Sequence, residues 1–137
     1  MTDRELIEKA LDARKNAYIP YSHYAVGAAV LTGDGCVYTG CNIENAAFSA
    51  TICAERTAIF KAVSEGHRTL SRIAIAAAPE GESAPLSSCG APCGVCRQVM
   101  AEFAAPDFRI LLARSAEDYD TYTLPELLPL SFTSKDM

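Results

Sequence analysis

Apolar positions recur along this chain with two spacings, one typical of helices and one typical of strands. Near the amino terminus, Thr2-Asp3-Arg4-Glu5 has a capping-box pattern, and the apolar residues that follow keep helical spacing. This segment predicts a first helix over residues 3–17. Two apolar runs then flank Thr32-Gly33-Asp34-Gly35, whose Asp-Gly pair is typical of a hairpin turn, and they predict strands over 26–31 and 37–41.

The rest of the chain alternates between helical and strand-like segments. A second helix is predicted over 53–64, because its apolar residues keep helical spacing until Gly66. The later predicted elements are a strand over 73–78, a helix over 95–104, strands over 108–113 and 119–124, and a short helix over 124–128. Alternating strands and helices need crossover connections, so the predicted class is α/β, a three-layer α/β/α sandwich with a mixed five-stranded sheet.

Composition limits the classes of protein that remain. Half of the 137 residues are hydrophobic, which suits a single domain over residues 1–137 with its own core. The charged amino terminus is unlike a secretory signal, and no apolar run approaches the roughly 20 residues of a membrane helix, so we expect a cytoplasmic protein without membrane association. The net charge of -5 argues against nucleic acid, whose binding needs clustered Lys and Arg, and favours a small-molecule partner.

Three of the six cysteines, with one glutamate, indicate a catalytic metal site. Cys53, Cys93 and Cys96 are three candidate zinc ligands, and catalytic zinc keeps three protein ligands with a fourth position for water. Glu55, two residues after the first ligand, is then free to transfer protons. All three cysteines fall at predicted helix starts, the first with Thr51 as expected cap, and a helix amino terminus stabilises thiolate. The predicted cofactor is one Zn²⁺ per subunit.

Two arginines are candidates for offsetting the charge of this site. Three thiolates outweigh the charge of zinc, and the excess weakens the metal's ability to acidify water. Arg56 lies three residues after Cys53 on about the same helix face and can donate a hydrogen bond to its sulfur. Arg97, directly after Cys96, is the second candidate. The alternative is that both are solvated surface arginines.

Other uses of the cysteines stay open at this point. Cys93 and Cys96 alone would suit a redox pair, although that interpretation leaves Glu55 unexplained. Cys89 would close the site as a fourth ligand, and a disulfide framework would need an oxidising compartment. Cys36 and Cys41 are expected to be small core residues.

Longer motifs support a family resemblance over nearly the whole chain. The order Cys-x-Glu followed by Pro-Cys-x-x-Cys is similar to the signature of zinc nucleobase deaminases, with cysteine where the first ligand is often histidine. The matching segments are 20–29, 40–49, 53–58, 92–98 and 126–129. With these segments in this order, the chain closely resembles the short, homotetrameric cytidine deaminases.

This resemblance implies roles for residues outside the metal cluster. The substrate-binding residues that it implies are Asn42, Glu44, Tyr24, Ala54, Phe48 and Phe132. Asn42 and Glu44 match the pair that hydrogen-bonds the ribose, and Tyr24 stands where the family usually has phenylalanine in the substrate pocket. Phe48 occupies an aromatic position that is often tyrosine. Phe132 matches a phenylalanine that stacks on the pyrimidine from a neighbouring subunit, so the implied assembly is a homotetramer with composite active sites.

The implied reaction is deamination of cytidine and deoxycytidine to uridine and deoxyuridine plus ammonia, as in pyrimidine salvage. Zinc acidifies a water, Glu55 takes its proton, and attack at C4 of cytosine follows while Glu55 protonates the ring nitrogen and then the leaving amine. The alternatives are a non-enzymatic zinc module, a nucleic-acid-editing deaminase and a blasticidin-type deaminase. The ribose pair Asn42 and Glu44 argues for plain nucleosides.

Overall fold

Five strands form one mixed sheet in the computed structural model, which describes residues 1–137. The strands are β1 (Tyr24–Thr32), β2 (Val37–Cys41), β3 (Leu70–Pro79), β4 (Ala104–Ala113) and β5 (Tyr119–Thr123). The helices are α1 (Asp3–Ala13), α2 (Ala54–Ser64), α3 (Gly94–Phe103) and α4 (Leu124–Leu127), with 3-10 turns at Arg14–Asn16, Phe48–Ala50 and Ser134–Asp136. The sheet order is β2-β1-β3-β4-β5; β3 and β4 run parallel and the other neighbours antiparallel, which confirms the predicted mixed sheet.

Helices cover both faces of this sheet. Successive side chains of a strand point to opposite faces, so Ile73 and Ile75 of β3 join the cluster under α2 and α3. Ala74 and Ala76 of the same strand face the other way and pack against Leu6 and its neighbours in α1. The observed layers therefore confirm the predicted α/β/α sandwich.

The first helix is shorter than predicted, because the chain tightens into a 3-10 turn at Arg14–Asn16. The capping box is present as expected, with the Glu5 amide donating to Oγ1 of Thr2 at 3.1 Å. Arg14 is buried, and its guanidinium donates to the carbonyl oxygens of Ala25 at 3.0 Å and Ala78 at 3.1 Å. These hydrogen bonds attach the end of α1 to β1 and β3. The spacing of apolar residues in the sequence does not predict such bonds.

The strands also extend beyond the apolar runs that predicted them. β3 begins at Leu70 and β4 at Ala104, earlier than predicted, and each strand contains an arginine, Arg72 in β3 and Arg109 in β4. Both guanidiniums donate to the carboxylate of Asp3, at 3.0 Å for each of the two Arg109 bonds. Charged residues belong to the strands here because a carboxylate of α1 pairs with them.

Gly40 allows α2 to lie directly on β2. A Cβ at this position would stand 2.5 Å from the Ala54 carbonyl oxygen and 2.6 Å from the Ala58 amide nitrogen. Both atoms are backbone of α2, so a side chain at residue 40 would push the helix start away from the sheet. The helices in this fold are too short and too polar to cross a membrane.

Candidate metal centre and active site

The candidate site lies where α2 and α3 begin. Cys53 is the N-cap residue of α2, Cys93 is the N-cap of α3, and Cys96 lies in the first turn of α3. The three thiols therefore occupy helix amino termini, as predicted. The expected capping role of Thr51 was wrong, because Cys53 itself occupies the cap position and Oγ1 of Thr51 accepts the Asn45 amide at 3.2 Å.

The spacing of the three sulfur atoms fits a tetrahedral zinc ion. Sγ of Cys53 and Sγ of Cys93 are 3.8 Å apart, and those of Cys93 and Cys96 are 3.5 Å apart. Zinc–sulfur bonds of about 2.3 Å in a tetrahedron place the sulfurs about 3.8 Å from one another. The cluster could therefore supply three cysteine ligands with no fourth ligand residue in the group, and three protein ligands is the number that catalytic zinc keeps.

The other cysteines lie outside this cluster. Sγ of Cys89 accepts a hydrogen bond of 3.0 Å from Nη1 of Arg114, so Cys89 does not close the site as a fourth ligand. All six cysteines are free thiols, so the structure does not support the alternative of a disulfide framework. Cys41 is half-buried, whereas the expectation of a core position for Cys36 was wrong, because this residue is exposed at the end of the hairpin turn.

Arg56 contacts the cluster as predicted. Its Nη2 donates to Sγ of Cys53 at 3.3 Å, while its Nε is buried without a hydrogen-bond partner. Hydrogen bonds from the Cys96 thiol and from Arg56 lower the pKa of Cys53 to about 5. The same thiol pair, together with burial, raises the pKa of Cys96. The guanidinium therefore stabilises thiolate at Cys53.

Arg97 does not make the predicted contact with a thiolate. Its Nε donates to the Pro92 carbonyl at 2.7 Å, and its Nη1 donates to the Leu127 carbonyl at 2.7 Å. The side chain turns away from the sulfurs because two backbone acceptors, one on each side of it, take these donors. Arg97 instead joins the entry of α3 to α4.

Glu55 has the surroundings of a proton-transfer group. It lies in the first turn of α2, and only 4% of its surface is exposed. Burial disfavours the charged carboxylate and raises the pKa of Glu55 to about 7. A carboxyl group with a pKa near neutral can both accept and release a proton under physiological conditions.

A cavity of about 180 Å³ lies beside the cluster. The predicted site residues that line it are Cys53, Cys93, Glu55, Ala54, Asn42 and Tyr24. A larger cavity, of about 630 Å³, lies between α1 and residues 80–84, and none of these predicted site residues lines it. The smaller cavity is the candidate active site, because it alone combines the thiols with a buried carboxyl group.

The predicted ribose pair is divided between two adjoining cavities. Asn42 lines the first, where its Oδ1 accepts the Val26 amide at 3.0 Å and its Nδ2 donates to the Tyr24 carbonyl at 2.8 Å. Glu44 lines a neighbouring cavity of about 380 Å³ together with Phe48. Thr51 borders both cavities, so the two lie next to each other.

Phe132 lies apart from both cavities in its own chain. Its backbone carbonyl accepts from Nε2 of Gln98 at 2.9 Å, and 60% of the residue is exposed. Phe48 is also exposed, at 73%, with its ring edge-on to Tyr21. The structure thus joins the thiols, the carboxyl group, Tyr24, Ala54 and Asn42, and leaves the two phenylalanines on the surface.

One wall of the candidate pocket was missed by sequence reasoning. Gly90 lies against β3, where a Cβ would stand 2.7 Å from Cβ of Ala77 and 3.2 Å from the Tyr24 hydroxyl oxygen. That hydroxyl finds its partner in Oγ of Ser88, at 3.5 Å. The only signal in the sequence was a glycine three residues before Cys93 in a long loop.

Taken together, an α/β/α fold with three thiols at two helix starts and a buried carboxyl group beside them defines a zinc hydrolase of the nucleobase-deaminase class. Residues 1–112 match the family model described as "Cytidine and deoxycytidylate deaminase zinc-binding region". The chain therefore belongs to the cytidine and deoxycytidylate deaminase family.

Individual relatives agree with this assignment over their full length. The chain is 47% identical to the cytidine deaminase of Sporosarcina psychrophila, over 100% of this chain and 96% of that protein. It is 48% identical to the cytidine deaminase of Halalkalibacterium halodurans, over 98% of each. The crystal structure of cytidine deaminase from Burkholderia pseudomallei superposes with a TM-score of 0.85 at 42% identity, covering 96% of this chain and 100% of that one.

Proposed function

We propose that this enzyme hydrolyses cytidine and deoxycytidine to uridine and deoxyuridine, with release of ammonia, in pyrimidine salvage. The observation that carries the proposal is the position of Glu55, a buried carboxyl group with a pKa of about 7 in the cavity lined by Cys53 and Cys93. Family membership supports the same chemistry. A non-catalytic zinc module would leave the cost of burying this carboxyl group unexplained.

Each residue of the site has a separate task in this reaction. Zinc held by Cys53, Cys93 and Cys96 would activate a water molecule as the nucleophile. Glu55 accepts a proton from that water and passes it to the ring nitrogen next to C4. It then takes the remaining proton from the hydroxyl added at C4 and gives it to the leaving amine. The carbon–nitrogen bond to the amine breaks as the new carbonyl forms, so water and cytidine are converted to uridine and ammonia.

The side chains near the mouth of the cavity would hold the sugar. Asn42 uses one donor and one acceptor on the backbone, which fixes the amide and leaves its second N–H for a ribose hydroxyl. Glu44 accepts the Tyr21 and Ser22 amides through Oε1, both at 3.1 Å, and its Oε2 remains for the same sugar. Tyr24 and Ala54 would border the base.

We further propose that the enzyme is a homotetramer whose active sites are shared between subunits. The cavity of about 180 Å³ is smaller than the roughly 300–1,000 Å³ of typical ligand pockets, so this part of the site alone would not enclose a nucleoside. Phe48 and Phe132 are exposed aromatic residues of the kind that interfaces bury. Phe132 would cover the base bound by a neighbouring subunit.

Steady-state assays with zinc quantified test this function. The compounds to compare are cytidine, deoxycytidine, CMP, cytosine, adenosine, blasticidin S and a cytosine-containing oligonucleotide. We expect turnover of the two nucleosides with one catalytic zinc per chain. Turnover confined to blasticidin S or to the oligonucleotide would contradict the proposal.

We also propose a cytoplasmic location, because a reducing compartment preserves free thiols. Fractionation of cells, with an antibody that detects this chain, tests the location.

A further inference from the structure

A second group of metal-binding side chains lies at the opposite end of β1 from Tyr24. Asp34 and Cys36 belong to the hairpin turn between β1 and β2, and His67 follows α2. One potential ligand atom from each residue, an oxygen, a sulfur and a nitrogen, lies within 4.8 Å of the other two. None of these side chains lines the candidate active site or has a role in the proposed reaction.

The backbone holds the two contributing segments in fixed positions. The Thr32 amide donates to the Cys36 carbonyl at 2.8 Å, which closes the hairpin turn around Asp34. The Gly33 amide donates to the Thr69 carbonyl at 2.8 Å and so joins the turn to the chain just after His67. The His67 amide in turn donates to a carbonyl of α2 at 3.0 Å. Backbone hydrogen bonds therefore hold the hairpin turn and the segment that follows α2 next to each other.

The side chains are also oriented by neighbours that are not ligands. Oγ1 of Thr32 donates to Oδ1 of Asp34 at 2.6 Å. Within the cluster itself, Oδ1 of Asp34 lies 3.0 Å from Nδ1 of His67. The imidazole is covered by the ring of Tyr38, with centroids 5.5 Å apart, so only 20% of the His67 side chain is exposed. Metal sites typically have such outer contacts, which fix the direction of carboxylate and imidazole ligands.

We propose that Asp34, Cys36 and His67 form a second site for a divalent transition-metal ion of the zinc type. Thiolate, imidazole and carboxylate are the three ligand classes that zinc accepts, and a fourth position stays open to water. Binding releases the thiol proton of Cys36, and His67 keeps its single proton on Nε2 when Nδ1 binds the metal. One thiolate and one carboxylate then neutralise the ion.

A surface ion pair is the alternative explanation, and the chain contains an internal comparison for it. Nδ1 of His23 lies 2.8 Å from Oε2 of Glu80, a histidine–carboxylate pair with no cysteine in its cluster. The side chain of His23 is 65% exposed, compared with 20% for His67. Of the two histidine–carboxylate pairs, only the pair of Asp34 and His67 has a thiol beside it and an aromatic ring, that of Tyr38, next to the imidazole.

Cobalt titration of the zinc-loaded enzyme under reductant tests the second site. Co²⁺ bound to a thiolate gives a charge-transfer band in the near ultraviolet, and zinc analysis shows whether the catalytic ion is retained. We expect wild type to take up one cobalt per chain with this band. Cys36→Ser and His67→Asn should lose that uptake, while the matched controls Cys41→Ser and His23→Asn keep it.

Two further measurements make the outcome decisive. Cys36→Ser should retain wild-type cytidine turnover and thermal unfolding, so that its lost cobalt uptake does not reflect misfolding. If this variant is unfolded, Asp34→Asn gives the same comparison without touching a thiol. Equal cobalt uptake by wild type, Cys36→Ser and Asp34→Asn would overturn the assignment, as would absence of any cobalt binding by wild type.

Discussion

The guanidinium of Arg56 donates a hydrogen bond of 3.3 Å to Sγ of Cys53, one turn before it on α2. Three thiolates around a zinc ion make the site electron-rich, and this reduces the acidity of a water molecule placed there. A positive group on one sulfur withdraws part of that charge. The start of the same helix thus holds the proposed ligand, its charge partner and, between them, the proposed proton-transfer residue Glu55.

Arg56→Gln should therefore lower deamination most strongly near neutral pH. Loss of the positive group leaves the sulfurs more basic, raises the pKa of the nucleophilic water, and moves the rising limb of the pH–rate profile to higher pH. The measurement is kcat/KM from acid to alkaline pH with zinc content determined. Arg68→Gln, a charge change outside the site, is the control. A profile for Arg56→Gln that coincides with wild type would show that charge compensation is unimportant.

Glu55→Gln should retain fold and zinc but lose turnover by roughly 10²–10⁴-fold or more. The amide keeps the shape of the side chain, yet it can neither accept nor release the proton. Turnover of cytidine, zinc content and circular dichroism are the measurements, and Glu102→Gln on the exposed face of α3 is the control. Near-normal turnover with intact zinc binding would remove Glu55 from the mechanism.

Local features of the fold were predictable because they depend on neighbours in sequence. The capping box at Thr2, the hairpin around Asp34 and the three thiols at helix starts all follow from patterns within a few residues. The bond from Arg56 to Cys53 was predictable for the same reason, since residues three apart share a helix face.

Features that depend on tertiary contacts were not predictable in this way. Arg97 bonds to the carbonyl of Leu127, thirty residues later, and nothing near it in sequence indicates that acceptor. Burial of Arg14 against two strands shortened the first helix, and Cys36 proved exposed although cysteine is usually buried. The division of Asn42 and Glu44 between two cavities likewise involves tertiary contacts, since Ile43 between them pairs with Tyr18 and Ile52.

Gly40→Ala should destabilise the protein and reduce zinc affinity together. The new methyl group would overlap backbone atoms of α2 at 2.5 and 2.6 Å, and overpacking against a fixed backbone costs about 1–3 kcal/mol or more. Because Cys53 directly precedes this helix, its displacement moves a zinc ligand. Denaturant unfolding and competition with a chelator are the measurements. Gly33→Ala should change neither, because its methyl would stand 3.4 Å from a side-chain carbon and 3.6 Å from the carbonyl oxygen of Thr69, which are ordinary contact distances.

Asp3→Asn should reduce stability in a pH-dependent manner. Hydrogen bonds from Arg109 and Arg72 lower the pKa of Asp3 below its ordinary 3.8, so its contribution is present above that pH and is lost as the pH falls through the native value. We expect a loss of about 1–3 kcal/mol near neutral pH and a smaller difference in acid. Denaturant unfolding at several pH values measures this. The control Asp12→Asn removes only a solvent-exposed pair with Lys15 and should lose much less stability than Asp3→Asn. A stability difference between Asp3→Asn and wild type that does not change with pH would contradict a role for the Asp3 charge.

Phe132→Ala should raise KM for cytidine without changing zinc content. The residue lies five positions from the carboxyl end, is 60% exposed, and lines neither cavity of its own chain, so its effect would come through a neighbouring subunit. Met137→Ala, another exposed tail residue, is the control. Sedimentation of the active wild-type enzyme should show a tetramer, and a fully active monomer would contradict shared sites.

Mixing inactive and impaired subunits separates a shared active site from a loss of folding. Glu55→Gln subunits keep the tail but lack the proton-transfer group, whereas Phe132→Ala subunits keep Glu55 but lack the aromatic cover. After subunit exchange, some sites in mixed tetramers combine Glu55 of one chain with Phe132 of another, and these should show a KM close to wild type. Exchange is confirmed by differently tagged chains. If confirmed exchange restores no low-KM activity, Phe132 does not act across the subunit boundary.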